Sequence, residues 1–320
     1  MSYHNLEGIP IPISRIGFGC CPLGEHGWGA IQRGEMIRCV DEALDCGITL
    51  FDTADIYGLG VSEKNLAEGL GKRRSQAVIA SKYGVRRAHG ETYYDSSPDW
   101  FKTALEASLR RLNTDYIDLY QLHNWDGSTP LEVIAEEMER AKDQGKILSW
   151  GVTNQSNLED YSKLFPADGA FTFSYQLSLL SQDNKAIISQ VTEDFRQSVF
   201  FAWGSLAQGL LSGKFGGHLD IKENDRRSRP EYPNFHGERY ASCQKIVEQL
   251  SEISKMLGKT TTQVALRWIL DGHENSVALV GVKNRDQLHD NAGTAGWFLE
   301  EDQWAEIDGL TKELSCLCVT

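Results

Sequence analysis

The 320-residue chain has no run of about 18 apolar residues, the length a helix needs to span a bilayer. Its first residues, MSYHNLEGIPIPIS, lack the charged start and apolar core of a signal peptide, so the sequence reads as cytoplasmic. Cysteine is sparse: Cys20, Cys21, Cys39, Cys46, Cys243, Cys316 and Cys318 are odd in number and contain no Cys-x-x-Cys. That argues against a disulfide framework or a structural zinc site and leaves reduced thiols, with no metal expected. Positive charge is in deficit, with 32 Lys and Arg against 45 Asp and Glu for a net charge of −13. Broad adhesion to nucleic acid or an anionic membrane is therefore disfavoured, and small-molecule partners fit better. Pro- or Ser-rich linkers, internal repeats and low-complexity runs are also missing, which makes residues 1–320 read as a single domain.

What is present is alternation. Short apolar runs at Arg15–Cys20, Ile48–Asp52, Val78–Lys82, Ile117–Leu122, Ile147–Val152, Phe171–Tyr175, Val199–Trp203 and Val277–Val282 read as buried strands. Segments of helical spacing lie between them, such as EMIRCVDEALDCG, PDWFKTALEASLRRLN, TPLEVIAEEMERAKDQG and TTQVALRWILDG. Eight such units predict an α/β fold, a (β/α)8 TIM barrel. A doubly wound open sheet is the rival, but no Gly-x-Gly-x-x-Gly follows the first strand to seat a dinucleotide there. Residues Tyr3–Ile13 predict a short N-terminal β-hairpin at the barrel floor. The long irregular stretch Gly204–Tyr232, with its basic cluster Arg226-Arg227-Ser228-Arg229, predicts a lid after strand seven.

Polar residues at the carboxyl ends of barrel strands are the first place to look for a site. Asp52 ends the second strand, Lys82 the third, His123 follows the fourth, and Tyr57 lies in the loop beyond Asp52. Each has a bland reading: a turn cap, a snorkelling cation, a structural histidine, a loop aromatic. Together on three successive strands they predict a constellation. Asp52 would balance the buried charge of Lys82, Lys82 would lower the pKa of the Tyr57 phenol, and His123 would hold a carbonyl oxygen near that phenol.

The stretch GITLFDTADIYGLGVSE resembles the aldo-keto reductase signature Gly-x-x-x-x-Asp-Thr-Ala-x-x-Tyr-Gly. LNTDYIDLYQLHNWD, GKILSWGVTN, LAQGLLSGK and VALVGVKNRDQLHDN resemble later blocks of the same family in order. The resemblance implies that Asp52, Tyr57, Lys82 and His123 are catalytic in an NADPH-dependent interconversion of carbonyl and alcohol, with Tyr57 protonating the oxygen as hydride arrives from nicotinamide C4. It further implies that Thr153, Asn154 and Gln176 bind the carboxamide, Trp203 stacks on the ring, and Leu206, Gln208, Ser212 and Lys214 border the pyrophosphate. Gly281, Lys283, Asn284 and Gln287 would hold the ribose and its 2′-phosphate, and Asp290 with Asn291 the adenine. Lys283 beside that phosphate favours NADPH over NADH.

The chain departs from many members at Trp203-Gly204-Ser205, where Tyr-Ser-Pro is common, and at Thr153 and Val280 in place of Ser and Pro. An indole still stacks and Thr keeps the hydroxyl. For the substrate side, Trp28, Tyr83, Tyr93, Trp125 and the basic lid are candidates. Two other readings share these features: a cofactor-sensing interaction protein resembling potassium-channel β subunits, and an imine reductase on the same barrel.

Overall fold

The computed structural model describes residues 1–29, 32–155, 157–216, 219 and 221–311. A two-stranded antiparallel hairpin, β1 (Tyr3–His4) and β2 (Ile13–Ser14), precedes the strands of a closed parallel barrel. Those strands are β3 (Ile16–Gly19), β4 (Leu50–Asp52), β5 (Val78–Tyr83), β8 (Ile117–Leu122), β9 (Ile147–Thr153), β10 (Thr172–Gln176), β11 (Val199–Trp203) and β12 (Ser276–Gly281). Between β5 and β8 a second small hairpin, β6 (Val85–Ala88) and β7 (Glu91–Tyr94), rises from the loop. Helices α1 (Arg33–Asp45), α2 (Val61–Leu70), α3 (Pro98–Leu112), α4 (Leu131–Asp143), α5 (Leu158–Leu164) and α6 (Lys185–Asp194) follow successive barrel strands. The chain continues with α7 (Gly237–Met256), α8 (Thr261–Gly272), α9 (Arg285–Ala292) and α10 (Glu301–Gly309).

All eight predicted runs are barrel strands, with ends shifted by no more than two residues. Their continuous apolarity has the expected cause: each strand has one face toward the barrel interior and the other toward a helix, so both are buried. The alternation sorts β5 cleanly. Val78 and Ala80 point inward and pack with Leu50, Leu119, Val199, Phe201, Val277 and Leu279, while Ile79 and Tyr83 face the helical layer. Leu6 and Ile13 of the N-terminal segment join that inward cluster, so the hairpin plugs the floor, as the sequence predicts. The hairpin β6–β7, which reverses at His89-Gly90 with positive φ at both residues, has no counterpart in the sequence reading. Among the described residues, no helix is long and apolar enough to cross a membrane.

Candidate active site

A cavity of about 640 Å³ opens at the carboxyl ends of the barrel strands. Asp52, Tyr57, Lys82 and His123 all line it. The Lys82 ammonium donates to Asp52 Oδ2 at 2.6 Å and to the Thr53 carbonyl at 2.8 Å, and it is almost wholly shielded from water. Burial pushes the Asp52 carboxyl up, and the Lys82 charge and hydrogen bond pull it back. Tyr57 is carried by the loop after β4, which turns tightly at Gly58. That residue has φ +60°, and a Cβ there would stand 2.3 Å from the Gly24 carbonyl oxygen, so only glycine lets the two loops meet. The rings of Tyr57 and His123 meet edge to face at 5.9 Å.

Electrostatics correct one expectation. Lys82 Nζ lies 5.4 Å from the centre of the Tyr57 ring, but its short hydrogen bonds go to Asp52 and Thr53. Burial, reinforced by Asp52, pushes the Tyr57 phenol well above its ordinary value rather than below it. The phenol therefore keeps its proton at neutral pH. His123 is driven the other way, down to about 3, by burial and then by Lys82, so its imidazole is neutral. Its Nδ1 is buried without a hydrogen-bond partner, while its carbonyl accepts from Thr153 Oγ1.

The remaining candidates divide by position. Thr153, Asn154, Trp203, Leu206, Gln208, Ser212, Lys214, Gly281, Lys283, Gln287, Asp290 and Asn291 line the same cavity. Trp203 Nε1 donates to Asn154 Oδ1 at 3.2 Å, which fixes the indole against the Asn154 side chain. Asn154 (φ 55°) and Gln208 (φ 53°) hold left-handed backbone that non-glycine residues seldom adopt, a strain typical of functional sites. Lys214 is pushed down to about 8 by burial and then by Arg227 and Lys283, which marks a concentration of positive charge. Lys283 donates to the Trp28 carbonyl, and Asn291 Nδ2 is buried without a partner. Gln176 and Asn284 are not among the lining residues. Gln176 Nε2 lies 3.5 Å from Ser181 Oγ, and Asn284 caps α9 by accepting from the Gln287 N–H at 2.9 Å.

Of the substrate-side candidates, Trp28 lines the cavity. Tyr83 does not: it is 1% exposed, stacked on Tyr120 at 5.5 Å and edge-on to Phe101 at 5.1 Å. The reason is the period of two along β5, which sends Lys82 inward and its neighbour outward. Trp125 also stands apart from the cavity, donating to the Thr129 carbonyl at 2.7 Å, and Tyr93 lies on the exposed hairpin β7. Arg226, Arg227 and Tyr232 of the predicted lid do line it, and Arg226 N–H donates to the Gly27 carbonyl at 2.9 Å, joining the lid to the loop after β3. Cys21, Asn124 and Thr262 line the cavity too, and no motif in the sequence singles them out.

Residues 15–312 match the family model described as Aldo/keto reductase family. The chain is 31% identical over 315 residues to the aldo-keto reductase YhdN of Bacillus subtilis, covering 98% of this chain and 94% of that one. A solved glycerol dehydrogenase, AKR11B4 from Gluconobacter oxydans, superposes with a TM-score of 0.87 at 28% identity, covering 97% of this chain and 95% of that one. An aldo-keto reductase from Klebsiella pneumoniae solved in complex with NADPH gives a TM-score of 0.73 at 25% identity, covering 97% and 95%. Barrel, strand-end constellation and these likenesses agree: the chain belongs to the aldo/keto reductase family and is an NAD(P)-dependent oxidoreductase.

Proposed function

We propose that the protein reduces an aldehyde or ketone to an alcohol with NADPH, Tyr57 being the proton donor. The observation that carries this reading is the convergence of a protonated phenol, a neutral imidazole with an orphaned nitrogen, and the Lys82–Asp52 pair on one cavity wall. The rest of the cavity fits an extended dinucleotide. Lys214 and Lys283 crowd positive charge where phosphates would relieve it, and Asn291 Nδ2 has no protein partner for its buried donor. Trp203 and Asn154 would hold the nicotinamide end, Gln208 and Ser212 the pyrophosphate, and Gln287, Asp290 and Asn291 the adenosine end. When bound, the reduced nicotinamide supplies the hydride.

This chain's residues do the rest. A carbonyl oxygen placed between Tyr57 and His123 receives hydrogen bonds from both, which stabilises the charge that develops on it. An alkoxide is far more basic than a phenolate, so Tyr57 gives up its proton late, when negative charge has accumulated. The buried ammonium of Lys82 then favours the phenolate left behind, and Asp52 keeps that ammonium charged and in place. Lys283 supports NADPH over NADH, because a 2′-phosphate is the group that distinguishes the two cofactors. Kinetics of Tyr57→Phe with NADPH and a simple aldehyde test the reading: cofactor binding persists and reduction collapses.

A further inference from the structure

The lid contains two adjacent arginines with opposite fates. Arg227 is 7% exposed and fully engaged, with Nε on Asp225 Oδ1 at 2.9 Å and Nη2 on Asp225 Oδ2 at 2.5 Å. Its guanidinium also lies over the rings of Phe215 and Phe235, at 5.1 and 5.9 Å. A bidentate, desolvated pair of this kind organises the loop and leaves no charge to spare.

Arg226 lines the same cavity as Tyr57, yet among the described residues its guanidinium forms no ion pair, and its Nε is buried without a hydrogen-bond partner. The side chain is nevertheless held in place. Its backbone N–H is bound to Gly27, its stem packs where a Cβ on Gly27 (φ +77°) would come within 2.6 Å of its Cγ, and its guanidinium lies 5.6 Å from the centre of the Trp28 ring. Trp28 is fixed in turn by Cys21 Sγ at 3.3 Å and by an edge contact with Tyr232 at 6.2 Å. A chain with a net charge of −13 has carboxylates in plenty, and Asp225, the acid beside Arg226 in sequence, is taken by Arg227. An immobilised, unpaired guanidinium facing a cavity is a receptor for an anion.

We infer that Arg226, seated on Trp28, binds an anionic group of the substrate, so that the preferred substrates are aldehydes or ketones bearing a carboxylate or phosphate. This rests on the proposed carbonyl reductase activity and names the substrate class of that site. Arg226 stands over Trp28, whose Nε1 reaches Cys21 in the loop that meets the Tyr57 loop at Gly58, whereas Asp225, Arg227 and Lys283 converge around Gly29.

The test compares wild type, Arg226→Gln and the exposed lid control Arg229→Gln on 4-carboxybenzaldehyde, its neutral methyl ester, and glyceraldehyde 3-phosphate against glyceraldehyde. For R226Q, KM rises roughly 10- to 100-fold for the charged member of at least one pair and stays within about two-fold for the neutral members, as loss of one charge-assisted contact requires. Which charged member responds separates carboxylate from phosphate recognition. The NADPH dissociation constant is unchanged, and R229Q behaves as wild type. Equal KM changes for charged and neutral partners, or weakened NADPH binding as the main effect, overturns the inference, the latter by assigning Arg226 to the cofactor. A second readout needs no turnover: quenching of tryptophan emission by benzoate but not benzamide in wild type, lost in R226Q. If no carbonyl is reduced but benzoate still binds through Arg226, the reductase reading fails and the anion site stands; if benzoate and benzamide quench alike, the anion site fails.

Discussion

Lys82 Nζ stands 2.6 Å from Asp52 Oδ2 with side-chain exposures of only 5% and 7%, so each charge depends on the other to remain in the protein interior. Removing one partner strands the other. Asp52→Ala is expected to destabilise the fold by about 3–5 kcal/mol in urea unfolding, and Asp52→Leu combined with Lys82→Met to recover most of that loss. A single substitution costing under about 1 kcal/mol would show that the pair is solvated in solution.

Asp55 lies just behind this pair, in the same loop as Tyr57. Its Oδ1 is buried without a partner, and burial, then Glu63, pushes its carboxyl up to about 7. The folded-state value exceeds the unfolded one, so the folded chain holds a proton the unfolded chain releases. That stability is complete below about pH 4 and is lost as pH rises through about 7, on the order of 2–4 kcal/mol in all. Asp55→Asn should match wild type in melting temperature at about pH 4 and exceed it increasingly toward about pH 8. Parallel pH profiles for the two proteins would contradict this.

The neutral state of His123 has a kinetic counterpart. Because its imidazole is held down to about 3, it contributes no inflection to the pH dependence of reduction between about pH 5 and 8. An inflection near 7 is expected from Asp55 and should vanish in Asp55→Asn. A step near 6.5, the ordinary histidine value, that persists in Asp55→Asn but disappears in His123→Gln would show a charged imidazole in the working enzyme.

Cofactor choice is tested at Lys283. Replacing it with Gln is expected to weaken NADPH roughly 10- to 100-fold in a fluorescence titration while leaving NADH nearly unchanged. Equal losses for both cofactors would move Lys283 from the 2′-phosphate to a shared part of the site, or make its bond to the Trp28 carbonyl purely structural.

The barrel was legible because strands buried on both faces are continuously apolar, and Asp52, Lys82 and His123 were legible because they end such strands. Tyr57 was legible through its five-residue offset from Asp52. What the sequence could not reveal is direction and solvation. Tyr83 follows Lys82 in the chain but belongs to the outer layer, and the phenol of Tyr57 is governed by its burial more than by the nearby cation. Cys21, Asn124 and Thr262 reach the cavity only through the folding of loops and helix ends, which leaves no periodic trace. The unlike roles of Arg226 and Arg227 depend on which one Asp225 captures, a matter of local turn geometry at Asp225, whose side chain accepts from the Arg227 N–H at 3.0 Å.

Tyr57 is proposed to donate the proton in a carbonyl reduction carried out in this cavity. Single-turnover oxidation of bound NADPH on mixing with 4-carboxybenzaldehyde or 4-nitrobenzaldehyde, in wild type and Tyr57→Phe, measures it most directly. The expected result is a fall of about 10²- to 10⁴-fold in the rate of nicotinamide oxidation for Tyr57→Phe, with the NADPH dissociation constant unchanged. Equal rates in the two proteins would contradict it.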